Sequence, residues 1–393
     1  MSDAASTPRV APFVQRLPLM RVILREGAVD ALGAELALLR ASRPLLVCSG
    51  SARRSATFAR VQRQLEGLAV LAGDDVPPHS ATDLVTGLAG RAAQHGVDCI
   101  VAFGGGSASD TAKAVAILLG EGGRLEDHAA RFTPPATLHV PSLTKPKVPI
   151  VTIPCTASGA EVSAGLGVRT PEGHKLLFTD FQVASRVVLL DPVANLEVPA
   201  GVMLSTGMNG LAHCLEGLYS LERAPLGETM ALDAMARFAR ALPAVRRDPQ
   251  DVAARADLLY AAHLSGLVMI NARTALHHAI CHVIGSVTGV PHGEANAVML
   301  PYALEFNRPV VAPALERAAL ALGAASADAV ACIEAVRGLG RSLGVPQRLR
   351  DIGVPREALA RIAEKAMGER GLYFNPRRVA GPHEILALLE QAY

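Results

Sequence analysis

The chain changes character near Asn195, and this change limits the folds that it can adopt. Before that point, short β-branched runs alternate with amphipathic stretches of helical spacing, a pattern typical of a parallel sheet covered by helices. After it, the β-type runs disappear and alanine- and leucine-rich helical segments continue to the C-terminus. We therefore predict an α/β N-terminal domain with a mostly parallel sheet over residues 1–194, and an all-α C-terminal helical domain over residues 195–393.

The predicted elements follow from hydrophobic periodicity. Six strands are predicted in the first domain, at Arg21–Leu24, Pro44–Cys48, Leu68–Ala72, Cys99–Phe103, Pro149–Ile153 and Val187–Leu190. Helices are predicted between them at Val29–Leu39, Arg53–Leu65, Thr82–Gln94 and Ser107–Leu119, and the stretch 120–147 is an irregular excursion. The second domain is predicted to hold helices at Gly201–Leu221, Leu226–Leu242, Val252–Ala272, Ala275–Thr288, Val310–Leu322, Ser326–Leu343, Arg356–Met367 and Pro382–Ala392.

Composition excludes several classes of function. The 393 residues carry a formal net charge of +2, so no electrostatic surplus favours nucleic acid or an anionic membrane. No run approaches the ~18–20 apolar residues that span a bilayer, and Met1–Gln15 has no apolar core of a signal peptide. The six cysteines are scattered, which is typical of neither a disulfide framework nor a zinc ribbon. We expect a cytoplasmic protein that acts on a small molecule, without nucleic acid or membrane partners.

A glycine turn after the fourth predicted strand indicates a phosphate site. Three glycines, Gly104, Gly105 and Gly106, separate the strand from a predicted helix that begins at Ser107. Such a turn lets the backbone approach a pyrophosphate, and the helix N-terminus offers unpaired N–H groups. Asp110 would complete a capping box with Ser107, and Lys113 follows one turn later. An ordinary βα loop is the alternative explanation, and the serine, aspartate and lysine spacing favours a nucleotide.

Histidines are concentrated in the second domain. His213, His277, His278, His282 and His292 fall within about one fifth of the chain. Asn209 and His213 are four residues apart on a predicted helix and share a face, as do His278 and His282 on another. Any one buried histidine is readily explained by packing, but five at these spacings favour a site.

The strand–GGGSxxDxxK–helix pattern resembles that of the iron-containing alcohol dehydrogenase superfamily. Further landmarks occur in the order of that family: residues 153–162, 191–192, 205–213, 276–282 and 291–293. The resemblance implies an N-terminal dinucleotide-binding domain, a C-terminal helical bundle with the active site between them, and a homodimer. It implies NADH or NADPH as cofactor, bound by Ser49, Gly104, Gly105, Gly106, Ser107, Asp110, Lys113, Thr156, Ser158 and Lys175.

Two branches of the family are compatible with these residues. In metal-dependent members the ligands are an aspartate and three histidines, and the matching positions here are Asn209, His213, His278 and His292. A neutral amide is a poor ligand for iron or zinc, although three imidazoles can still hold zinc. The second half resembles the maleylacetate reductases, in which hydride adds to an olefin conjugated to a ketone. The resulting enolate is delocalised and needs a Lewis acid less than an alkoxide does.

We therefore expect a metal-free NAD(P)H-dependent reductase of a small oxo acid or aldehyde. His278 and His282 are the expected hydrogen-bond or proton donors, and His213 and His292 would shape the pocket. The alternative is an iron- or zinc-dependent alcohol dehydrogenase. A lyase of the dehydroquinate synthase type would need a metal-binding carboxylate and several lysines, and a non-catalytic protein that kept the fold would not bind the nicotinamide.

Three positions bear on ligand choice. Ser49 stands where an aspartate of relatives repels the 2′-phosphate of NADPH, and Arg53 and Arg54 follow it, so both NADH and NADPH should be accepted. Lys175 and Arg273 could pair with a substrate carboxylate or a cofactor phosphate, although a helix-end charge is the simpler role for Arg273. Ala157 replaces the tyrosine that the reductases usually carry, which leaves the substrate open.

Overall fold

The computed structural model describes residues 12–77, 80–133 and 137–393. The interpretation of Met1–Gln15 thus falls largely outside the described residues, as does the tip of the excursion at 134–136. The described elements confirm the predicted fold class of an α/β first half with a parallel sheet and a helical second half. No helix among the described residues has the length and apolar composition needed to cross a bilayer.

Six parallel strands form the main sheet. In chain order they are β1 (Arg21–Leu24), β2 (Pro44–Ser49), β3 (Leu71–Val76), β4 (Cys99–Gly104), β7 (Ile150–Pro154) and β10 (Val187–Leu190). Their order across the sheet is β1-β10-β7-β4-β2-β3. The interior strand β4 is buried along its whole length because helices cover both faces. Two antiparallel hairpins lie outside this sheet, formed by β5 (Arg131–Thr133) with β6 (Thr137–His139) and by β8 (Gly165–Arg169) with β9 (Lys175–Thr179).

The register brings the carboxyl ends of three strands together. Cys48 of β2 pairs with Phe103 of β4, and Phe103 pairs with Ile153 of β7. From β2 the chain runs outward to β3, whereas from β4 it runs the other way to β7. The crevice between the ends of β2 and β4 is therefore the topological switch point at which open α/β sheets bind ligands.

The helices of the first half are α1 (Leu32–Leu38), α2 (Gly50–Arg53), α3 (Ala56–Gln64), α4 (Thr82–His95) and α5 (Gly106–Glu121). Those of the second half are α6 (Pro192–Asn195), α7 (Ala200–Tyr219), α8 (Pro225–Arg247), α9 (Val252–Ile270), α10 (Leu276–Thr288), α11 (His292–Ala321), α12 (Ala329–Leu343), α13 (Ala358–Ala366) and α14 (Pro382–Ala392). Short 3₁₀ turns cover Ala28–Ala31, Leu125–His128, Phe181–Val183, Leu349–Ile352 and Arg370–Phe374.

Several predicted boundaries were wrong for identifiable reasons. The helix predicted at Val310–Leu322 is the end of α11, which starts at His292 and continues through three prolines that suggest breaks in a sequence. The helix predicted at Arg53–Leu65 is divided at Ser55, whose hydroxyl accepts the N–H of Phe58 and caps α3. Strand β3 begins three residues later than predicted and extends into polar residues, which an edge strand tolerates. The two hairpins were not predicted, because strands of three to five residues give little periodic signal.

The segment after β7 packs directly against α9. Gly159 has φ +66°, and a Cβ at this position would lie 2.8 Å from the backbone nitrogen of Gly266 and against the carbonyl of Ala262. A Cβ at Gly266 would in turn lie 2.7 Å from Val162. Two glycines thus allow the backbone of the sheet layer to touch a helix of the second half. The 194/195 domain boundary remains a prediction.

We predict that Gly159→Ala lowers the midpoint of thermal and urea unfolding. Overpacking of a buried contact costs roughly 1–3 kcal/mol, and a side chain at positive φ adds about 1 kcal/mol. Gly173→Ala is the matched control, because Gly173 has φ +83° but no atom within 4 Å of its Cβ position. Equal loss of stability in both variants would contradict the close contact with α9.

Candidate active site

The glycine turn lies at the carboxyl end of β4, beside the end of β2. Gly104 has φ +151°, a conformation that residues with a side chain rarely adopt, and a Cβ there would lie 3.0 Å from the hydroxyl of Ser49. Gly105 caps α5, so the N-terminus of the helix, with its positive dipole end, follows the turn directly. The predicted capping box is wrong, since Ser107 lies inside the helix and Asp110 accepts the N–H of Gly167 at 3.1 Å.

Two cavities meet at this turn. The larger, of about 770 Å³, is lined by Ser49, Gly105, Ser107, Thr156 and neighbouring residues. The smaller, of about 250 Å³, is lined by Asp110, Ser158, Lys175 and the histidines. Gly106 lines both. An extended ligand can therefore lie with its middle on the helix N-terminus, one end between β2 and β4 and the other beside the histidines. This arrangement fits a dinucleotide whose pyrophosphate rests on the turn.

Lys113 faces away from this path. Its side chain is buried, and its ammonium group donates to the carbonyl oxygens of Ser163, at 2.7 Å, and Ala160. Burial lowers the pKa of Lys113 to about 8. In these contacts the lysine fixes the loop between β7 and β8, so any effect on a cofactor passes through that loop.

The larger cavity also contains a carboxylate that the sequence analysis did not consider. Asp75, at the end of β3, lines it together with Ser49 and Arg54. Asp75 forms a salt bridge with Arg53, whose guanidinium also donates to the carbonyl of Gly73 at 2.8 Å. One of the two arginines expected near the ribose is therefore engaged by an acidic partner.

Four histidines converge on the smaller cavity from three helices. His213 comes from α7, His278 and His282 come from α10, and His292 is the first residue of α11. Ring centroids lie 4.8 Å apart for His213 and His278, 6.0 Å for His278 and His292, and 5.4 Å for His282 and His292. Burial lowers the pKa of each of the four imidazoles. Repulsion from neighbouring histidines adds to this for His213, His278 and His292, and the charge of Lys175 adds to it for His282. The sequence spacing thus predicted a real cluster.

His277, by contrast, is a packing residue. It has no exposed surface, and its Nε2 lies 3.0 Å from the carbonyl oxygen of Asn296. Its backbone N–H donates a hydrogen bond to Oε1 of Glu216 at 2.8 Å. The side chain therefore anchors α10 rather than lining the cavity.

Two carboxylates each contact the Nδ1 atom of a cavity histidine. Glu216, fully buried on α7, lies 2.6 Å from Nδ1 of His278, and Glu369 lies 3.2 Å from Nδ1 of His282. Burial raises the pKa of Glu216. Burial also acts to raise the pKa of Glu369, but the hydrogen bond and charge of His282, together with the charges of Lys175 and Arg370, outweigh it and lower that pKa. A carboxylate that contacts one imidazole nitrogen fixes the ring orientation and the position of its hydrogen.

Glu216 had a sequence signal that was missed, because Asn209, His213 and Glu216 follow the i, i+4, i+7 spacing of one helix face. Glu369 had none, since 87 residues separate it from His282.

Asn209 links two of the imidazoles. Its Oδ1 lies 3.2 Å from Nε2 of His278, and its Nδ2 lies 3.5 Å from Nε2 of His213. In this orientation the amide accepts a hydrogen from His278 and faces the lone pair of His213 with its own N–H. A metal would need the lone pairs of both nitrogens, so the amide fits a metal poorly.

A second group meets the distance requirement for a metal among the described residues. Ligand atoms of Glu216, His277 and His278 lie within 4.8 Å of one another. These atoms already hydrogen bond to each other and to the backbone, at 2.6 Å between Glu216 and His278 and 2.8 Å from the N–H of His277. Neither donor set is arranged as an open metal site.

Comparison with known proteins identifies a family over most of the chain. Residues 20–192 match the family described as iron-containing alcohol dehydrogenase, and residues 203–393 match its C-terminal domain. The maleylacetate reductase of Pseudomonas sp. (strain P51) is 33% identical over 373 residues, 95% of each chain.

Two solved structures show the same fold. The maleylacetate reductase of Rhizobium sp. strain MTP-10005 superposes with a TM-score of 0.82 at 28% identity, covering 98% of this chain and 99% of that one. The iron-containing alcohol dehydrogenase of Thermococcus thioreducens superposes with a TM-score of 0.86 at 29% identity, covering 96% and 99%. The protein is therefore an oxidoreductase of the iron-containing alcohol dehydrogenase family, whose members use NADH or NADPH and often iron.

Proposed function

We propose that this protein is a reductase of the maleylacetate type, which adds hydride to a small oxo acid without a metal. The observation that carries the proposal is Asn209. Its amide hydrogen bonds to the imidazoles of His278 and His213, at the position where a metal-dependent enzyme would need a carboxylate ligand. The identity of about one third to maleylacetate reductases over nearly the full chain supports the same substrate class. When bound, the reduced nicotinamide supplies the hydride.

His278 and His282 would stabilise the charge that develops on the substrate oxygen. Because Oδ1 of Asn209 faces Nε2 of His278, that nitrogen carries a hydrogen, and the proton between Nδ1 and Glu216 completes a neutral pair. An enolate oxygen in the cavity can share the Nε2–H of His278 with Asn209. His282 is the proposed second donor. In its imidazolium form, which the Glu369 carboxylate favours, it passes its Nε2 proton to carbon as the enolate collapses and takes a new proton from water afterwards.

His213 and His292 close the sides of the cavity. His213 stacks on His278 at 4.8 Å, and its Nδ1 is buried without a hydrogen-bond partner among the described residues. His292 stacks on His282 at 5.4 Å. Both rings limit the positions that His278 and His282 can adopt, which supports their proposed role in shaping the pocket.

We further propose a homodimer. Among the described residues, strand β1 is an edge of the sheet and pairs with β10 alone, which leaves the backbone groups of its other side without a strand partner there. Exposed apolar side chains precede this edge, at Leu17 and Leu19, and lie on it, at Val22 and Leu24. A second copy related by a twofold axis would cover both features.

A cytoplasmic location is also proposed. All six cysteines, in the described part of the chain, are free thiols, and five of them are buried. Free thiols in this number fit a reducing compartment.

The first prediction from the proposed function concerns the metal. The purified enzyme should hold well under one equivalent of iron or zinc and keep its reductase activity in EDTA. Asn209→Asp should raise metal affinity by about tenfold to a hundredfold, in line with the effect of ligand-shell changes on such sites. Its activity towards the oxo acid should fall, because a metal would occupy the nitrogens proposed as donors.

Asn209→Ala is the matched control, since it removes the amide without adding a charge and should gain no metal. Elemental analysis and activity before and after chelation decide the question. One tightly held metal per unmodified chain, with activity lost on chelation and regained with iron or zinc, would favour the metal-dependent alcohol dehydrogenase.

The second prediction concerns the glycine turn. Gly106→Ala should leave the melting temperature nearly unchanged, because its Cβ would meet only ordinary contacts at 3.6 Å or more. The methyl group would nevertheless occupy the N-terminus of α5, and we expect NADH binding to weaken by at least about tenfold. Calorimetric titration measures this, with Gly87→Ala on α4 as a control. Gly105 is a poorer test, because a Cβ there would lie 2.9 Å from Thr156.

The third prediction concerns cofactor choice. The unmodified enzyme should accept both NADH and NADPH, because Arg53 neutralises Asp75 and Arg54 lies in the same cavity. Asp75→Asn should improve kcat/KM for NADPH by about tenfold while changing that for NADH less, because a negative charge near the 2′-phosphate is removed. Asp127→Asn, outside the cavity, is the control. A thousandfold preference of the unmodified enzyme for either cofactor would contradict this account.

A further inference from the structure

Three cationic side chains meet at one end of the histidine cavity. Lys175 lies on β9, Arg273 lies in the connection between α9 and α10, and Arg370 begins the 3₁₀ turn before Phe374. All three line the 250 Å³ cavity with the four histidines. Lys175 and Arg370 also line an adjoining cavity of about 190 Å³, which none of the glycine-turn residues line. Lys175 and Arg370 therefore lie between the histidine cavity and a second cavity that is separate from the glycine turn.

The two arginines have no acidic partner in the described part of the chain. Neither guanidinium makes a salt bridge or hydrogen bond there, and that of Arg273 lies 6.0 Å from the ring centroid of Phe374. Arg273 and Arg370 are partly buried, whereas the more deeply buried cations Lys147 and Arg255 are satisfied. Lys147 pairs with Glu121 at 2.7 Å, and the guanidinium of Arg255 donates to three backbone carbonyls and to the side chain of Asn195. The contrast is informative, since buried charges in proteins are normally paired.

Two carboxylates act on these arginines beyond salt-bridge distance: Glu222 on Arg273 and Glu369 on Arg370. Glu369 is hydrogen bonded to His282 at 3.2 Å. Burial lowers the pKa of both Arg273 and Arg370, and the charge of Arg273 lowers that of Arg370 further. The two guanidiniums thus repel each other in a partly dehydrated space, and carboxylates bound to them would offset this repulsion.

We infer that Arg273 and Arg370 form a carboxylate clamp that selects an oxo dicarboxylate over a neutral aldehyde. The inference rests on the proposed function for the position of the reacting carbonyl beside the histidines. Each guanidinium can take one carboxylate through two parallel N–H donors, which fixes direction as well as charge. A single carboxylate would neutralise only one of the arginines. The clamp explains why Arg273, expected to be a helix-end charge, lies in the cavity.

The clamp is tested with Arg273→Gln and Arg370→Gln in the full-length enzyme. KM for maleylacetate should rise by about tenfold to a hundredfold in each variant, with kcat changed less, because a buried charge-assisted contact is lost. Succinate, a dicarboxylate with no group to reduce, should bind more weakly by a similar factor. The affinity for NADH and kcat/KM for propanal should fall by much less than kcat/KM for maleylacetate. Arg370→Lys, which keeps the charge without the planar fork, should give an intermediate KM.

Arg378→Gln is the matched control, since Arg378 is exposed and lies outside the cavity. It should change none of these quantities. Melting curves identify a variant that fails to fold, in which case Arg370→Lys carries the test. Unchanged KM and unchanged succinate binding in both glutamine variants would overturn the clamp, as would equal losses for propanal and maleylacetate. Arginine-dependent succinate binding in an enzyme that reduces no oxo acid would support the clamp and contradict the proposed function.

Discussion

The parallel register of β2, β4 and β7 determines where the residues of the cofactor site can lie. Because Cys48, Phe103 and Ile153 are aligned across the sheet, the residues that follow them leave the same edge within a few ångströms of one another. Ser49, the glycine turn and Thr156 are those residues. A shift of one residue in any of these strands would move its side chains to the opposite face of the sheet, where they would not fit the helices packed there, so the packing that buries the strands also fixes the edge.

The second half of the site depends on how closely this edge approaches the helical bundle. Gly159 and Gly266 allow backbone-to-backbone contact between the loop after β7 and α9. On α7, a Cβ at Gly210 would lie 2.6 Å from Phe238 and 3.1 Å from the carbonyl of Ala157. The helix that carries Asn209, His213 and Glu216 is thereby held against the loop that carries Ser158. Small residues at these contacts set the distance between the turn and the histidines.

The chemistry of the cavity depends on which of its polar groups are hydrogen bonded to one another. Glu216, His278, Asn209 and His213 form a chain of hydrogen bonds, and each member restricts the hydrogen positions of the next. The arginines at the other end are left without acidic partners in the described residues. One side of the cavity therefore holds a set of oriented hydrogen-bond donors, and the other holds cationic side chains that make no salt bridge in the described residues. Such an arrangement suits a substrate that is anionic and develops further charge during the reaction.

The sequence by itself determined the fold class, the glycine turn and the histidine cluster, because each depends on local spacing. Period-2 and period-3.6 patterns, a strand followed by three glycines, and histidines four apart are all readable within one element. Only the tertiary structure decided that Glu369 and Arg370 face the histidines, that Asp75 reaches Ser49, and that Lys113 turns towards backbone carbonyls. These are contacts between elements far apart in the chain, and the direction of a side chain across such a gap is set by packing that no local pattern encodes.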